Sequence, residues 1–369
     1  MNSRLTWLGA ALLAAAASAV AADPSSAPAL GDRDRSVVVH TRDRNVADRL
    51  SGPRADVTAP AIDAAQAQAC DAACLQGLVD TYLRAVVAHD PKLLPAADHL
   101  RFTENGQELP LGQGFWSTAS GVGAFQLYAL DPAAQQAGFI GTMREFDNVV
   151  LMALRLKVRN RRISEIETLF YRKGQGPAWS DSGIDAANAR GAADAAAFAP
   201  LPAAQRASRE QLTATASQWL AALERNDGHT DSRGWPVSDD CVRFENGARI
   251  TDNPKVRIGD ATFNLAALDC RQQLQSGWFS LNTRVHDRRI AAVDPERGLV
   301  FAWANIDRAG VKALDLNSGH VLVQRLLQQP SGHAEALALR IENGLVRRVV
   351  GLSVPVPYGM GPGWDNQGN

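Results

Sequence analysis

The sequence predicts an α+β fold built twice, as two tandem domains in which helices pack on a curved antiparallel sheet, preceded by a secretory leader. Three observations carry this expectation. The second half of the 369-residue chain repeats motifs of the first in the same order. Each copy opens with one helical segment and continues as a run of strand-like segments, the α+β pattern. The N-terminus has the layout of a processing signal.

The repeat is anchored by Gly114-Phe115-Trp116-Ser117, which reaches Asp131-Pro132 after seventeen residues, and by Gly277-Trp278-Phe279-Ser280, which reaches Asp294-Pro295 after the same interval. Around these, Leu78–Leu83 answers Ala216–Leu220, and Arg101–Gly106 answers Arg243–Gly247. Ala153–Leu156 answers Ala338–Ile341, and Ile163–Leu169 answers Val346–Leu352. Solenoid repeats run about 20–50 residues; this unit is far longer, so it reads as a duplicated domain.

Residues 1–22 combine Arg4, the apolar run Leu8–Ala17 and Ala19-Val20-Ala21 before Asp23, which describes a cleavable signal peptide. The run is shorter than the roughly 20 apolar residues a bilayer span needs. Residues 23–68, rich in Ala, Asp, Arg and Pro without apolar periodicity, read as a disordered leader. Domain 1 spans 69–173. Leu75, Leu78, Val79, Leu83, Val86 and Val87 keep a helical period, and Asp90-Pro91 ends that helix. Leu100–Leu109 reads as a hairpin turning at Asn105-Gly106, Phe115–Leu130 is mixed, and strands follow at Gly138–Met143, Val149–Val158 and Ile163–Tyr171. Residues 174–207, full of Gly, Ala and Pro, read as a linker that is partly helical within Ile184–Phe198. Domain 2 spans 208–358. Its helix Ser208–Arg225 starts on a Ser208/Gln211 capping box. A turn at Asn246-Gly247 follows, then strands at Arg284–Val293, Gly298–Ile306, Ala334–Glu342 and Leu345–Val356. Residues 359–369 form a tail.

A formal net charge of −1 and an isoelectric point near 6.7 provide no basic field for nucleic acid. Export, to the periplasm or beyond the cell, makes the four cysteines candidates for disulfides rather than metal ligands, with three pairings possible. Cys241 and Cys270 flank an insertion absent from the first repeat, and joining them leaves Cys70 with Cys74, within reach across one helical turn. No histidine lies at ligand spacing from either pair, so no metal site is expected.

Helix, polar turn after Asp90-Pro91, strand pair, then a long hairpin ending Ala-Leu-Arg-Leu-turn-Ile-x-Glu-Ile-Glu resembles the nuclear transport factor 2-like (NTF2-like) or SnoaL-like superfamily, over about three-quarters of the chain. Cys70-x-x-x-Cys74-Leu75, Tyr82-Leu83, Ala88-His89-Asp90-Pro91 and Arg101-Phe102-Thr103-Glu104-Asn105-Gly106 resemble secreted proteins of a DUF8021-type group. The resemblance implies a conical, largely apolar interior of the kind that binds small molecules. Ketosteroid isomerases of this superfamily use a helical tyrosine and a neutral aspartic acid to hold an oxyanion while another aspartate moves the proton. By this resemblance Tyr82 matches the tyrosine and Glu104 or Asn105 the base. The second acid falls near Met152 or Ala153, which cannot donate a hydrogen bond, and Trp219 replaces the tyrosine in repeat 2.

Among individual residues, strand alternation puts Leu100, Phe102 and Glu104 on one face, so Glu104 points into the interior or else caps its turn. Glu245 lies one residue closer to its phenylalanine, so facing it inward requires a bulge. Tyr82 is a hydrogen-bond donor to a ligand or plain core. Asn282, Arg284, His286 and Arg288 alternate on one strand face, either as a row for an anionic or phenolic ligand with His286 as acid or base or as an ion-paired outer face. Trp116 and Trp278 provide aromatic wall or core. Glu165 and Glu167 read as a solvated strand face, and His333 as structural or exposed. The chain has no Walker loop, GxGxxG opening a helix, GxSxG elbow or HExxH helix, and no cofactor is expected. Three functions stay open: binding of a small, partly apolar molecule, cofactor-independent acid–base catalysis of isomerase, dehydratase or lyase type, and an interaction module with filled interiors. The two repeats are expected to pair as an intramolecular pseudo-dimer.

Overall fold

Two six-stranded sheets with the same strand order dominate the computed structural model, which describes residues 69–229 and 234–364. The expected signal peptide, the leader and the last five residues of the tail lie outside the described residues.

The chain enters at α1 (Ala72–Val87), where the Asp71 carboxylate accepts a hydrogen bond from Cys74 N at 2.8 Å and so satisfies one orphan N–H of the first turn. Leu75, Leu78, Val79, Tyr82, Leu83 and Val86 form its buried stripe. The six strands β1 (Ala96–Glu104), β2 (Gln107–Glu108), β3 (Ala119–Asp131), β4 (Gln136–Glu145), β5 (Asn148–Arg159) and β6 (Arg162–Tyr171) assemble in the order β2-β1-β6-β5-β4-β3. Asn105 and Gly106 both take positive φ in the turn between β1 and β2, as a two-residue hairpin loop requires.

The segment read as a linker is built and packed. It folds as α2 (Ala178–Arg190) and α3 (Ala192–Ala196), with Ile184 and Ala187 fully buried. Gly183 lets α2 touch the next sheet: a Cβ there would lie 2.5 Å from Ala248 N. Alanine-rich composition suits a helix as well as a flexible connector, and contact with both sheets selects the helix.

Then come α4 (Arg209–Ala222), opened by the expected Ser208/Gln211 capping box, and β7 (Val237–Glu245), β8 (Ala248–Arg249), α5 (Cys270–Gln275), β9 (Asn282–Asp294) and β10 (Leu299–Arg308). The short pair β11 (Leu314–Asp315) and β12 (Val321–Leu322) precedes β13 (Ser331–Glu342) and β14 (Leu345–Val356). The order β8-β7-β14-β13-β10-β9 reproduces that of the first sheet. Both expected disulfides are present, Cys70–Cys74 and Cys241–Cys270. No helix among the described residues is long and apolar enough to cross a membrane.

The sequence predicts antiparallel sheets, but each sheet contains one parallel pair. β1 runs parallel to β6, with Phe102 opposite Ile166, and β7 runs parallel to β14, with Arg243 opposite Val349. Strand patterning does not encode which non-adjacent strands pair, so the crossover was invisible in the sequence.

Strand alternation gives each sheet two buried faces. One face carries the leading helix and its own core, built from residues such as Phe102, Phe139 and Leu154 under α1, and Val300, Leu337 and Leu339 under α4. The opposite faces pack on each other through Phe125, Ile140 and Leu169 of the first sheet against Phe301, Trp303 and Leu352 of the second. Gly138 permits this approach, because a Cβ there would lie 2.1 Å from the Phe301 ring.

Charges seal the same interface. Glu167, expected on a solvated face, is 3% exposed. It bridges Arg155 of its own sheet at 2.7 Å and Arg289 of the other at 2.6 Å. Asp131 accepts both Nη groups of Arg209 at 2.7 and 2.6 Å, and also Val293 N at 2.8 Å. The tail is docked as well: the Trp364 indole N–H donates to Thr103 Oγ1 at 3.0 Å, and the Arg101 and Arg155 guanidinium groups lie 4.6 and 4.7 Å from its ring centroid.

Candidate active site

Strand register fixes which residues of the two halves correspond. The β5–β6 turn pairs Arg159 with Arg162, and the β13–β14 turn pairs Glu342 with Leu345. Counting back from these turns, Met152 faces Phe170, while Glu335 faces Ser353. Ala153–Leu156 therefore corresponds to Ala336–Leu339. The motif match to Ala338–Ile341 is displaced by two residues, a slip that keeps every side chain on its own face and so leaves the apolar pattern intact.

At β1 and β7 the motif match is displaced by one residue. Glu104 lies opposite Thr168 and Glu245 opposite Gly351, so Phe102 corresponds to Arg243 and Thr103 to Phe244. Phe244 packs toward the other sheet. Glu245 thus faces inward without the bulge the sequence seemed to demand there.

In the first half the interior under α1 is apolar. Phe102, Val150, Met152 and Phe170 belong to one buried core with Tyr82, Phe115 and Trp116. Tyr82 is 1% exposed, its ring edge-on to Trp116 at 5.5 Å, and burial, then the Glu104 charge, push its hydroxyl pKa far up. The Trp116 indole N–H is sealed without a hydrogen-bond partner among the described residues, and it opposes the rise at the Tyr82 hydroxyl. Glu104 is inside and also occupied: Oε2 accepts Phe115 N at 2.9 Å, against Gly114, where a Cβ would come within 2.6 Å. Burial raises its pKa, while the Phe115 N–H and Arg172 oppose the rise. Asn105 Oδ1 is taken by Phe170 N at 2.8 Å.

In the second half the matched positions hold Arg243, His333, Glu335 and Ser353, joined by Glu245 and by Arg308 at the end of β10. Arg243 donates Nη1 to Gln273 Oε1 at 2.6 Å and places Nη2 3.9 Å from Glu245. Its guanidinium lies 5.6 Å from the Trp219 ring centroid and 5.5 Å from that of Phe279. Arg308 donates Nε to Asn282 Oδ1 at 2.9 Å and meets His333 Nε2 at 3.4 Å. His333 Nδ1 reaches Ser353 Oγ at 3.2 Å, and Ser353 Oγ donates to Glu335 Oε1 at 3.1 Å. A guanidinium can only donate, so the network assigns His333 the neutral tautomer with Nδ1 protonated. Burial and the Arg308 charge hold the imidazole pKa down to about 3. Burial, then the neighbouring Glu245, raise the Glu335 carboxyl to about 7 against the pull of Arg308, Ser353 and Arg243. Burial also lowers the pKa of Arg243 and Arg308.

Two donors at this cluster are sealed from solvent without a hydrogen-bond partner among the described residues, Arg243 Nε and Trp219 Nε1. An unsatisfied buried donor costs about 1–3 kcal/mol. Two inserts that the first half lacks border the cluster. Residues 250–276, where the first half has only 109–113, carry Gln273 and are tied by Cys241–Cys270. Residues 309–330 replace a two-residue turn between Arg308 and Ser331 and add Leu314, Leu316 and Leu322 to the core under α4.

The expected row on β9 is not one row. Asp287 takes positive φ, and the register with β10 shifts between the pairs Trp303–Arg289 and Asn305–His286. This bulge breaks the alternation, and a second register shift, between Asp307–Arg284 and Arg308–Asn282, separates Asn282 from Arg284. Asn282 is buried and donates Nδ2 to Leu223 O at 2.8 Å. Arg284 and His286 lie on the opposite face beside Asp307, Arg284 at 2.7 Å and His286 Nε2 at 3.3 Å, while His286 Nδ1 meets Asp287 at 2.7 Å. Arg288 turns to Val285 O at 2.7 Å and to Glu224. Trp278 is core, stacked on Phe263 at 6.1 Å. Among the described residues no group of three or more His, Cys, Asp or Glu could hold a metal ion.

Sequence reading missed His333 as a site residue, and Glu335, Arg243, Arg308 and Ser353 altogether. The Asn-Gly and Asn343-Gly344 turns would have located them, because a two-residue loop pins register where an apolar motif does not.

Residues 205–353 match the model of DUF8021, a domain of unknown function. No curated protein matches the chain. Among solved structures it is similar to AclR, a candidate hydroxylase from Streptomyces galilaeus, at 14% identity over 40% of this chain and 90% of that one, with a TM-score of 0.26. It is also similar to a candidate ketosteroid isomerase from Kribbella flavida, at 10% identity over 29% of this chain and 84% of that one, with a TM-score of 0.24.

Proposed function

We propose that the protein is an exported tandem of two NTF2-like domains, 69–173 and 208–358, derived from one duplicated unit. In this reading the second domain binds a small, partly apolar molecule in its conical interior, and the first serves as its scaffold through the paired sheets. One observation carries the reading: at matched register positions the apolar Phe102, Val150, Met152 and Phe170 are exchanged for Arg243, His333, Glu335 and Ser353. Buried charges weaken a fold relative to apolar residues of similar volume, so a set of them on one interior face marks a site rather than a core.

A second reading, acid–base catalysis on the bound molecule, is favoured by Glu335. Its carboxyl exchanges a proton near neutrality, which suits a general acid or base, and the Ser353–His333–Arg308 chain orients it. The isomerase resemblance puts the second acid near Met152 or Ala153, and Glu335 is the register match of Met152.

A thermal-shift screen of a metabolite library tests binding. Compounds that raise the melting temperature of the wild type should lose that effect on Arg243→Phe/Glu335→Met. A screen without hits, or hits indifferent to Arg243→Phe/Glu335→Met, refutes the site.

A further inference from the structure

We infer that the ligand of the second domain is a small apolar monocarboxylic acid, held as its anion with the carboxylate on Arg243 Nε and Trp219 Nε1. This rests on the proposal that the interior under α4 is a binding site, and adds the chemical class of what it binds.

The two orphan donors carry the argument. Trp219 is 1% exposed and Arg243 is 9% exposed, and the guanidinium sits 5.6 Å from the indole centroid, so the two donors are neighbours in one buried region. An indole N–H and a guanidinium Nε–H can only donate; what they lack is an acceptor. Arg243 cannot swing away to find one, because Nη1 is fixed on Gln273, itself held by Leu265 O at 2.9 Å. A planar carboxylate offers two acceptor oxygens to two donors. Hydrocarbon surface from Phe279, Leu337 and Leu339 lies in the same core.

Charge balance selects a monoanion. The groups facing the cluster are Arg243 and Glu245 from β7, Arg308 from β10, His333 and Glu335 from β13, and Ser353 from β14. With His333 neutral and Glu335 protonated, two guanidinium groups stand against one carboxylate, an excess of one positive charge. A bound monoanion neutralises it, whereas a phosphate dianion would overshoot beside Glu245, which lies 3.9 Å from Arg243. Once Glu335 ionises, near pH 7, the excess is gone, and binding weakens.

Calorimetric titration of the full chain with phenylacetate and hexanoate, against phenylethanol and hexanol, tests this. At pH 6.5 the acids should bind at least about tenfold tighter than the alcohols, the worth of one charge-assisted hydrogen bond. Raising the pH to 8.5 should cost the acids about tenfold and leave the alcohols unchanged. Trp219→Phe, which keeps the ring and removes the donor, should weaken the acids alone, with circular dichroism confirming the fold. If the alcohols match the acids, the inference falls while the interior remains a binding site. If neither acid binds at millimolar concentration the inference falls too, and the library screen decides separately whether the interior binds anything.

Discussion

Glu335 and Met152 occupy the same register position in their two sheets, Met152 opposite Phe170 and Glu335 opposite Ser353. Around Met152 the interior is closed by apolar contact; around Glu335 it is a network of charges whose members hold one another in place. If that network exists for a ligand, the fold should do without it. Arg243→Phe combined with Glu335→Met gives the second interior two residues of the first and leaves Arg308 to balance Glu245. The double variant should unfold in urea at the same or a higher concentration than the wild type, gaining up to about 1–4 kcal/mol. A clear loss of stability would mean that the cluster is structural.

The cluster also predicts how stability follows pH. Glu335 keeps its proton up to about 7 when folded and releases it near 4.5 when unfolded, so between these values the folded state binds more protons and stability falls as pH rises. His333 does the reverse. Its folded pKa of about 3 lies below the ordinary 6.5, so stability rises with pH across that window. Urea unfolding from pH 3 to 8 should show Glu335→Gln losing the fall and His333→Asn losing the rise. Unchanged profiles would remove both groups from the interior.

Glu167 should be essential to the pairing of the two sheets. Glu167→Gln leaves Arg155 and Arg289 without their shared carboxylate in a buried setting, at a cost of about 3–5 kcal/mol. Equilibrium unfolding measures it directly; a cost below about 1 kcal/mol, as for an exposed pair, would place Glu167 at the surface.

Gly138→Ala probes the same interface by volume. The new Cβ would meet the Phe301 ring at 2.1 Å, so the sheets must separate or the ring must leave its rotamer, costing about 1–3 kcal/mol. A neutral effect in the same unfolding assay would argue against face-to-face contact at this point.

Much of this architecture is written in local pattern. The helix stripes, the Ser208/Gln211 cap, the Asn-Gly turns and the strands after Gly138 and Gly298 depend on neighbouring residues, and each forms where its pattern lies. What needed distant partners was hidden. The parallel pairing of β1 with β6 depends on the whole chain path, and the burial of Glu167 on a second sheet that its own strand does not announce. Glu335 was hidden by a two-residue slip that apolar alternation tolerates. The Asp287 bulge dissolved the row built from Arg284, His286 and Arg288, because a backbone at positive φ does not show in strand parity.

The most direct measurement is retention of small molecules by the full chain, read by untargeted mass spectrometry, for the wild type beside the Arg243→Phe/Glu335→Met variant. The wild type should hold back apolar acids that the variant lets pass, although both are folded. Equal retention by the two proteins, or none by the wild type, would contradict a site beneath α4.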